Sequence, residues 1–479
     1  MKLMRSIILL ALAGVLLASS PLLAADSPNA PIIGTWMGTL TVMGTQLRIA
    51  FNFSLADDGS LVATIDSVDQ SVSGISVDTV TFEGGILKLT SSAVAAEYEG
   101  TLDPAADEIK GQWKQGGMTF ELNLKRQAGP VKDNRPQEPK PPYPYKAEDV
   151  KYPNKASEGV ELAATLTIPE GEGPFPAVVL ITGSGAEDRN EAIMGHKPFL
   201  VIADYLTRRG IAVLRADDRG FGLSTGDYVS ATSEDFATDA LAGVEFLKSR
   251  PEVDAAHIGL IGHSEGGIIA PMAAQKSDDV AFIVMLAGPG VDGKAILFQQ
   301  GQDILRAMGT PEKQMKAQRE VQQAIFDIVL GEPDPKLAEP KLRELMNEVA
   351  AGQPEAQKIP KEQLDAQINA QIAFVNSPWF RFFLTYDPTA ALRSLRIPVL
   401  ALNGSLDLQV NSNINLPAIE AALKAGGNKD FVVKEFPGLN HLFQHATTGA
   451  ISEYSQIEET FSEEAMALIS EWILTHTAK

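Results

Sequence analysis

The sequence predicts an α/β fold, a mostly parallel sheet with helices on both faces and a helical cap, preceded by a small all-β domain. Three observations carry this. From Asp149 onward, apolar strand-like runs alternate with helical stretches. Between Ile32 and about Lys125, short strands follow one another with little helix. Between the two lies a segment, residues 129–148, that holds Pro130, Pro136, Pro139, Pro141, Pro142 and Pro144.

The first 25 residues have the pattern of a secretory signal. Lys2 and Arg5 form a positive end, Ile7 to Leu17 an apolar run too short to span a bilayer, and Leu22-Leu23-Ala24-Ala25 a cleavage region. Cleavage there predicts an exported, periplasmic or extracellular protein with no membrane span in the mature chain.

Over residues 31–128 the pattern is β. Leu47-Arg-Ile-Ala-Phe-Asn-Phe-Ser-Leu55 alternates apolar with polar residues, and Asp57-Asp-Gly59, Glu83-Gly-Gly85 and Asp103-Pro104 mark turns. Closely spaced strands of this kind predict a small sandwich or up-and-down barrel. The proline-rich residues 129–148 predict an extended, semi-rigid linker.

Residues 149–479 form the second domain. Val160–Ile168, Pro176–Thr182, Ala212–Ala216, Ile258–Ile261, Ala281–Ala287, Val399–Asn403 and Phe431–Phe436 are apolar runs of the length of buried strands. Phe199–Arg209 and Glu234–Ser249 are helical. From about 290 to 386 the signal is helical throughout, with apolar residues recurring at spacings of three and four, as in Val321, Ile325 and Ile328. An insertion of that length between two core strands predicts a cap. Its closing aromatic cluster offers Trp379 and Phe383 as walls of a substrate pocket.

Composition narrows the chemistry. A formal net charge of −21 sets the chain against nucleic acid and anionic membranes as partners. The absence of cysteine removes disulfides, thiolate catalysis and cysteine-ligated metals.

The strongest motif is Ile258-Gly-Leu-Ile-Gly262-His263-Ser264-Glu265-Gly266-Gly267. A strand enters Gly-x-Ser-x-Gly and a helical run leaves it, which is the setting of a serine nucleophile on a sharp strand-to-helix turn. Serine needs a base, and the base needs an acid to orient it. Val399-Leu-Ala-Leu-Asn-Gly-Ser-Leu-Asp407 is a strand, a glycine turn and an aspartate, with Glu435 and Asp430 in reserve. Phe431 to Phe436, then Pro-Gly-Leu-Asn-His441, is a strand, a turn and a histidine. Ser264, Asp407 and His441 are thus the candidate catalytic residues.

His445 repeats a histidine four positions on and is read as a surface or packing residue. A metal site is not expected from this pair, because no third ligand accompanies it. An oxyanion needs two N–H donors. Glu265, after the nucleophile, supplies one, and Ser184 in Thr182-Gly-Ser-Gly185 the other, with Gly185 as second choice. The opposed charges in Gly185–Asn190 and Asp217–Gly222 predict ion pairs that hold the loops. His196 is a candidate for the pocket edge.

On Thr182-Gly-Ser-Gly, Asp188-Arg189, Asp218-Arg-Gly, Ser224-Thr-Gly226, Gly262-His-Ser-Glu-Gly266, Asn403-Gly and Asn440-His441, the chain from about Lys151 onward resembles the α/β-hydrolase superfamily. More narrowly it resembles bacterial exported esterases with a β-rich N-terminal domain, and more distantly the dienelactone and acyl-thioester hydrolases. The resemblance implies carboxylesterase chemistry on a small-molecule ester through an acyl-serine intermediate, with no cofactor. No His-Gly-Gly-Gly run precedes the oxyanion turn, a departure from the lipase pattern. The competing classes are a thioesterase or peptidase on the same residues, and a ligand-binding protein with a degenerate hydrolase domain.

Overall fold

A computed structural model of the chain describes residues 29–42, 45–56, 58–68, 72–115, 118–127, 135–352 and 361–478. The expected secretory signal lies outside them, as do residues 129–134 of the linker. The chain divides into two compact units, Met1–Lys132 and Asp133–Lys479.

The first unit is a ten-stranded sheet with every pairing antiparallel: β1 (Gly34–Val42), β2 (Thr45–Leu55), β3 (Leu61–Ser67), β4 (Val72–Ser76), β5 (Thr79–Glu83), β6 (Ile86–Ser91), β7 (Ala96–Asp103), β8 (Glu108–Gln115), β9 (Met118–Glu121) and β10 (Leu124–Arg126). The spatial order is β4-β3-β2-β1-β10-β8-β7-β6-β5, with β9 on β8. The meander therefore returns on itself through β1 and β10. Along β7, Ala96, Tyr98 and Gly100 are buried while Glu97, Glu99 and Thr101 are exposed, the period of a half-buried strand. The inward residues meet in one core around Trp36, Phe51, Tyr98 and Trp113. Phe51 on β2 and Tyr98 on β7 are far apart in the strand order, yet their rings meet edge-on at 5.0 Å. The sheet is therefore curled over its own core, in the manner of an up-and-down barrel.

The second unit contains an eight-stranded sheet: β11 (Lys146–Pro153), β12 (Glu161–Ile168), β13 (Phe175–Ile181), β14 (Ala212–Ala216), β15 (Val253–His263), β16 (Phe282–Leu286), β17 (Val399–Gly404) and β18 (Phe431–Phe436). Its order is β11-β12-β14-β13-β15-β16-β17-β18. β11, β12 and β14 pair antiparallel, and the pairings from β14 through β18 are parallel. Both faces of this sheet are covered. Ala177, Val179 and Ile181 of β13 face a core shared with α2 (Ser233–Lys248), α3 (Gly266–Lys276) and α10 (Ser412–Gly426). The alternate residues Val178 and Leu180 face α1 (Pro198–Thr207) and α11 (Glu463–Thr477).

Between β16 and β17 lies the helical insertion, α4 (Gly293–Ala307), α5 (Glu312–Gly331), α6 (Pro335–Ala351), α7 (Lys361–Val375) and α8 (Pro378–Thr385), followed by α9 (Thr389–Ser394). It has a core of its own, in which Ile325, Phe326, Leu342, Ile368 and Phe380 are buried.

The proline-rich segment needs a correction. It was expected as an exposed linker over residues 129–148, but from Arg135 it belongs to the second unit. The Arg135 guanidinium is buried and donates to the carbonyls of Met194, Gly195, Ser455 and Ile457. Gln137 bonds Phe461 through both ends of its amide and also accepts from Thr460 N–H. From Lys146 the chain is already strand β11. Prolines lack the N–H that a ladder needs, so this stretch is fixed by side chains instead.

Candidate active site

Ser264 stands where β15 ends, with φ at +52°. A non-glycine residue in the left-handed region is held there only by strong surrounding contacts. The glycines around it explain the spacing of the motif. A side chain at Gly262 would overlap the backbone of Gly266, one at Gly266 the carbonyl of Ile181, and one at Gly267 the backbone of Gly288. Ser264 N–H donates to Leu286 O at 2.8 Å, which fixes the turn against β16. Helix α3 begins two residues later and turns its N-terminus toward this point.

Asp407 follows β17 and is buried. Its Oδ1 accepts from Gln409 and Val410 N–H, both at 2.8 Å, and its Oδ2 lies 2.8 Å from His441 Nδ1. Both carboxylate oxygens are thereby engaged, and the acid sets the orientation of the imidazole. His441 sits in the loop after β18, which Asn440 stabilises by accepting from Leu442 and Gln444 N–H.

Ser264 and His441 line one cavity of about 260 Å³, together with Ser184, Glu265, Trp379 and Phe383. Six of the seven residues singled out from the sequence therefore share one space, and Asp407 lies behind His441. Two of the three N–H groups from Gly183 to Gly185 are occupied: Gly183 donates to Glu191 Oε1 at 3.0 Å and Gly185 to the Tyr228 hydroxyl at 2.9 Å. The N–H of Gly185, the second choice from the sequence, is thus engaged elsewhere, and Ser184 lies between the two engaged residues.

The other sequence expectations divide. The ion pairs expected of the charged loops are present: Arg189 pairs with Asp217, and Arg219 with Asp239 of helix α2. His445 is largely exposed and binds Glu459, away from His441's partners. His196 does not edge the pocket. It is fully buried between Thr460 and the Tyr454 carbonyl, and burial pushes its pKa down to about 4. Among the described residues no cluster of three or more His, Asp or Glu could hold a metal, and no helix is long and apolar enough to cross a membrane.

What sequence reading missed is the acidity of the cavity. Glu187, Glu191 and Glu265 all line it. The Glu265 carboxylate is buried and accepts from Ser233 Oγ and from Trp379 Nε1, the latter at 2.8 Å. Burial raises its pKa against the pull of those bonds. The Glu187 carboxyl is pushed up to about 10, by burial first and then by Glu191 and Asp218. Burial likewise takes Asp218 to about 7. Among the described residues, Glu187 Oε2 and Glu265 Oε2 are buried without a hydrogen-bond partner. Lone carboxylates in a charged loop carry no local signal of this kind, because it depends on which loop faces them.

Residues 158–425, more than half of the chain, match the X-Pro dipeptidyl-peptidase (S15) family. The chain belongs to that family. This S15 member is an α/β-hydrolase and a serine hydrolase. It is 39% identical over 128 residues to esterase EstD of Thermotoga maritima, a match covering 27% of this chain and 30% of that protein. It is 29% identical over 148 residues to the putative hydrolase YtaP of Bacillus subtilis, covering 28% of this chain and 49% of that one. The chain thus spans less than half the length of either relative. Among solved structures, it is similar to the α/β-hydrolase GrgF of a Penicillium species, with a TM-score of 0.43, 18% identity, and coverage of 70% of this chain and 100% of that one. The Pyrococcus furiosus esterase Pf2001 has a TM-score of 0.40 and 16% identity, covering 69% of this chain and 92% of its own.

Proposed function

We propose that this S15 member is an exported carboxylesterase that cleaves short to medium acyl esters through an acyl-Ser264 intermediate. The observation that carries the reading is the buried His441–Asp407 pair at 2.8 Å, on a histidine that shares its cavity with a serine in the left-handed elbow. In the first half-reaction His441 Nε2 takes the Ser264 proton as Oγ attacks the ester carbonyl. The carbonyl oxygen becomes an oxyanion held by the N–H groups of Ser184 and Glu265. The intermediate collapses, the proton passes from His441 to the departing alcohol, and the acyl group stays on Ser264. Water then repeats the sequence, returning acid and free serine. Asp407 keeps its proton count throughout and steadies the imidazolium.

Trp379 and Phe383 stack at 5.2 Å and wall the acyl side. A cavity of about 260 Å³, just below the range of ordinary drug-sized ligand pockets, suits a small ester.

A second reading, peptidase action, has its own support. The family match is one part of it. The other is the set of buried carboxyls, since a cationic group such as a free amino terminus would draw the protons off Glu187 and Glu265 and pair with them. The deciding experiment compares p-nitrophenyl esters of rising chain length with acyl thioesters and with X-Pro p-nitroanilides, free and N-blocked. Ester turnover well above the others supports the esterase. Turnover confined to the unblocked anilides would replace it with the peptidase.

A further inference from the structure

Glu191 is a buried carboxylate that none of the steps above uses. It lies on the loop between β13 and α1, 4% exposed, with φ at +53°. Its Oε1 accepts from Gly183 N–H at 3.0 Å and faces His263 Nδ1 at 2.8 Å. His263 is the last residue of β15, directly before Ser264, and its Nε2 lies 3.0 Å from the backbone carbonyl of His441. The rings of His263 and His441 are 4.8 Å apart.

The hydrogen bonds fix the chemistry of this pair. A carbonyl oxygen only accepts, so Nε2 of His263 carries a hydrogen. The carboxylate Oε1 already accepts from Gly183 and accepts again from Nδ1, so Nδ1 carries one as well. His263 is then an imidazolium paired with Glu191. Burial opposes that charge, but the charge of Glu191 and the bonds to Glu191 and His441 outweigh it and raise the His263 pKa.

Three backbone segments meet at this pair: the turn that offers the Ser184 N–H, the elbow that carries Ser264, and the loop that carries His441. They come from the ends of three different strands; β13 and β15 are paired as far as Ile181 and Gly262, and beyond that point Glu191 and His263 bond the three segments to one another. Gly183 leaves no slack, because a side chain there would come within 3.3 Å of Ser264 Cβ.

We propose that Glu191 and His263 act as a positioning pair that holds the oxyanion turn, the nucleophile elbow and the base loop in register with one another. The proposal rests on the reading of Ser264 as nucleophile and His441 as base. Neither Glu191 nor His263 touches the reacting atoms. Their effect is on geometry, where a displacement of about 1 Å costs roughly 10²-fold in rate.

The test measures kcat and KM on p-nitrophenyl acetate, per active site counted with a fluorophosphonate. Glu191→Ala is expected to lower kcat about 10²-fold with KM within about threefold. Glu191→Gln, whose amide oxygen can accept both N–H groups, is expected to stay within about tenfold of wild type. His263→Ala should resemble Glu191→Ala, and the double variant should fall no further than the worse single one, because the two act as a unit. Wild-type kcat per labelled site in Glu191→Ala, or single losses that multiply in the double variant, would overturn the proposal. If Glu191→Ala does not fold, Glu191→Gln against Glu191→Asp decides: the full-length amide should outperform the shortened acid, and the reverse order overturns the pair. A wild-type protein that takes no fluorophosphonate would instead remove the nucleophile assignment on which the pair depends.

Discussion

Trp379 Nε1–H donates to Glu265 Oε1 at 2.8 Å, so the aromatic helix that closes the cap is bonded to the residue following Ser264. Trp379 also stacks on Phe383 at 5.2 Å with the planes 16° apart. One indole thus couples the wall of the cavity to its floor.

Removing only the hydrogen bond should alter which esters fit rather than whether they react. Trp379→Phe keeps an aromatic ring against Phe383 and leaves Glu265 to Ser233. We expect kcat on p-nitrophenyl acetate within about threefold of wild type, with the chain-length profile shifted. Phe383→Ala should shift the same profile. Equal losses across acetate, butyrate and decanoate would show the rings to be packing alone.

Glu187 predicts the pH dependence of stability. Its carboxyl is pushed up to about 10 in the folded protein, well above its ordinary value of 4.5. The folded state therefore holds this proton more tightly than the unfolded chain does. Its cost is absent below the unfolded pKa and grows as pH rises toward the folded one. Asp218, at about 7, acts in the same direction. Urea midpoints at about pH 6 and about pH 9 should diverge in wild type, and Glu187→Gln should narrow the gap. Midpoints that fall in parallel would clear Glu187 of the effect.

The region around Ser264, Asp407 and His441 is legible because each lies just past a strand with a glycine close by. The cap is legible for the same reason, since helical periodicity is local. Glu191 and His263 are not: they lie 72 positions apart, and His263 meets a carbonyl 178 positions further on. The indole of Trp379 meets its partner across 114 positions. The start of strand β11 falls inside the expected linker because, as an edge strand, it carries Lys146, Glu148, Asp149 and Lys151 among few apolar residues. Nothing in the sequence beside Arg135 marks its role, and only the fold supplies the four carbonyls it binds.

Arg135 gives a stability prediction. Arg135→Ala strands buried carbonyls near Met194, Gly195, Ser455 and Ile457. We expect a loss of about 2–3 kcal/mol in denaturant unfolding of the second unit. A chain beginning at Asp133 should accordingly be more stable than one beginning at Lys146. Equal midpoints would return the segment to the role of a tether.

Asp407→Asn should leave the fold intact, since its neighbours Gln409 and Val410 can still donate to an amide oxygen. It should lower kcat by up to about 10⁴, because the amide favours the wrong histidine tautomer. His445→Ala, on the exposed side with Glu459, should be close to neutral. A swap of these two outcomes in steady-state kinetics would move the base by four residues.

The central claim is that Ser264 carries the acyl group, and covalent labelling tests it most directly. After exposure to a fluorophosphonate, intact-mass analysis of the wild-type protein should show a single adduct, and peptide mapping should locate it on Ser264. Ser264→Ala should show neither adduct nor ester turnover. An adduct on another residue, or a Ser264→Ala protein that still hydrolyses p-nitrophenyl acetate at the wild-type rate, would contradict it.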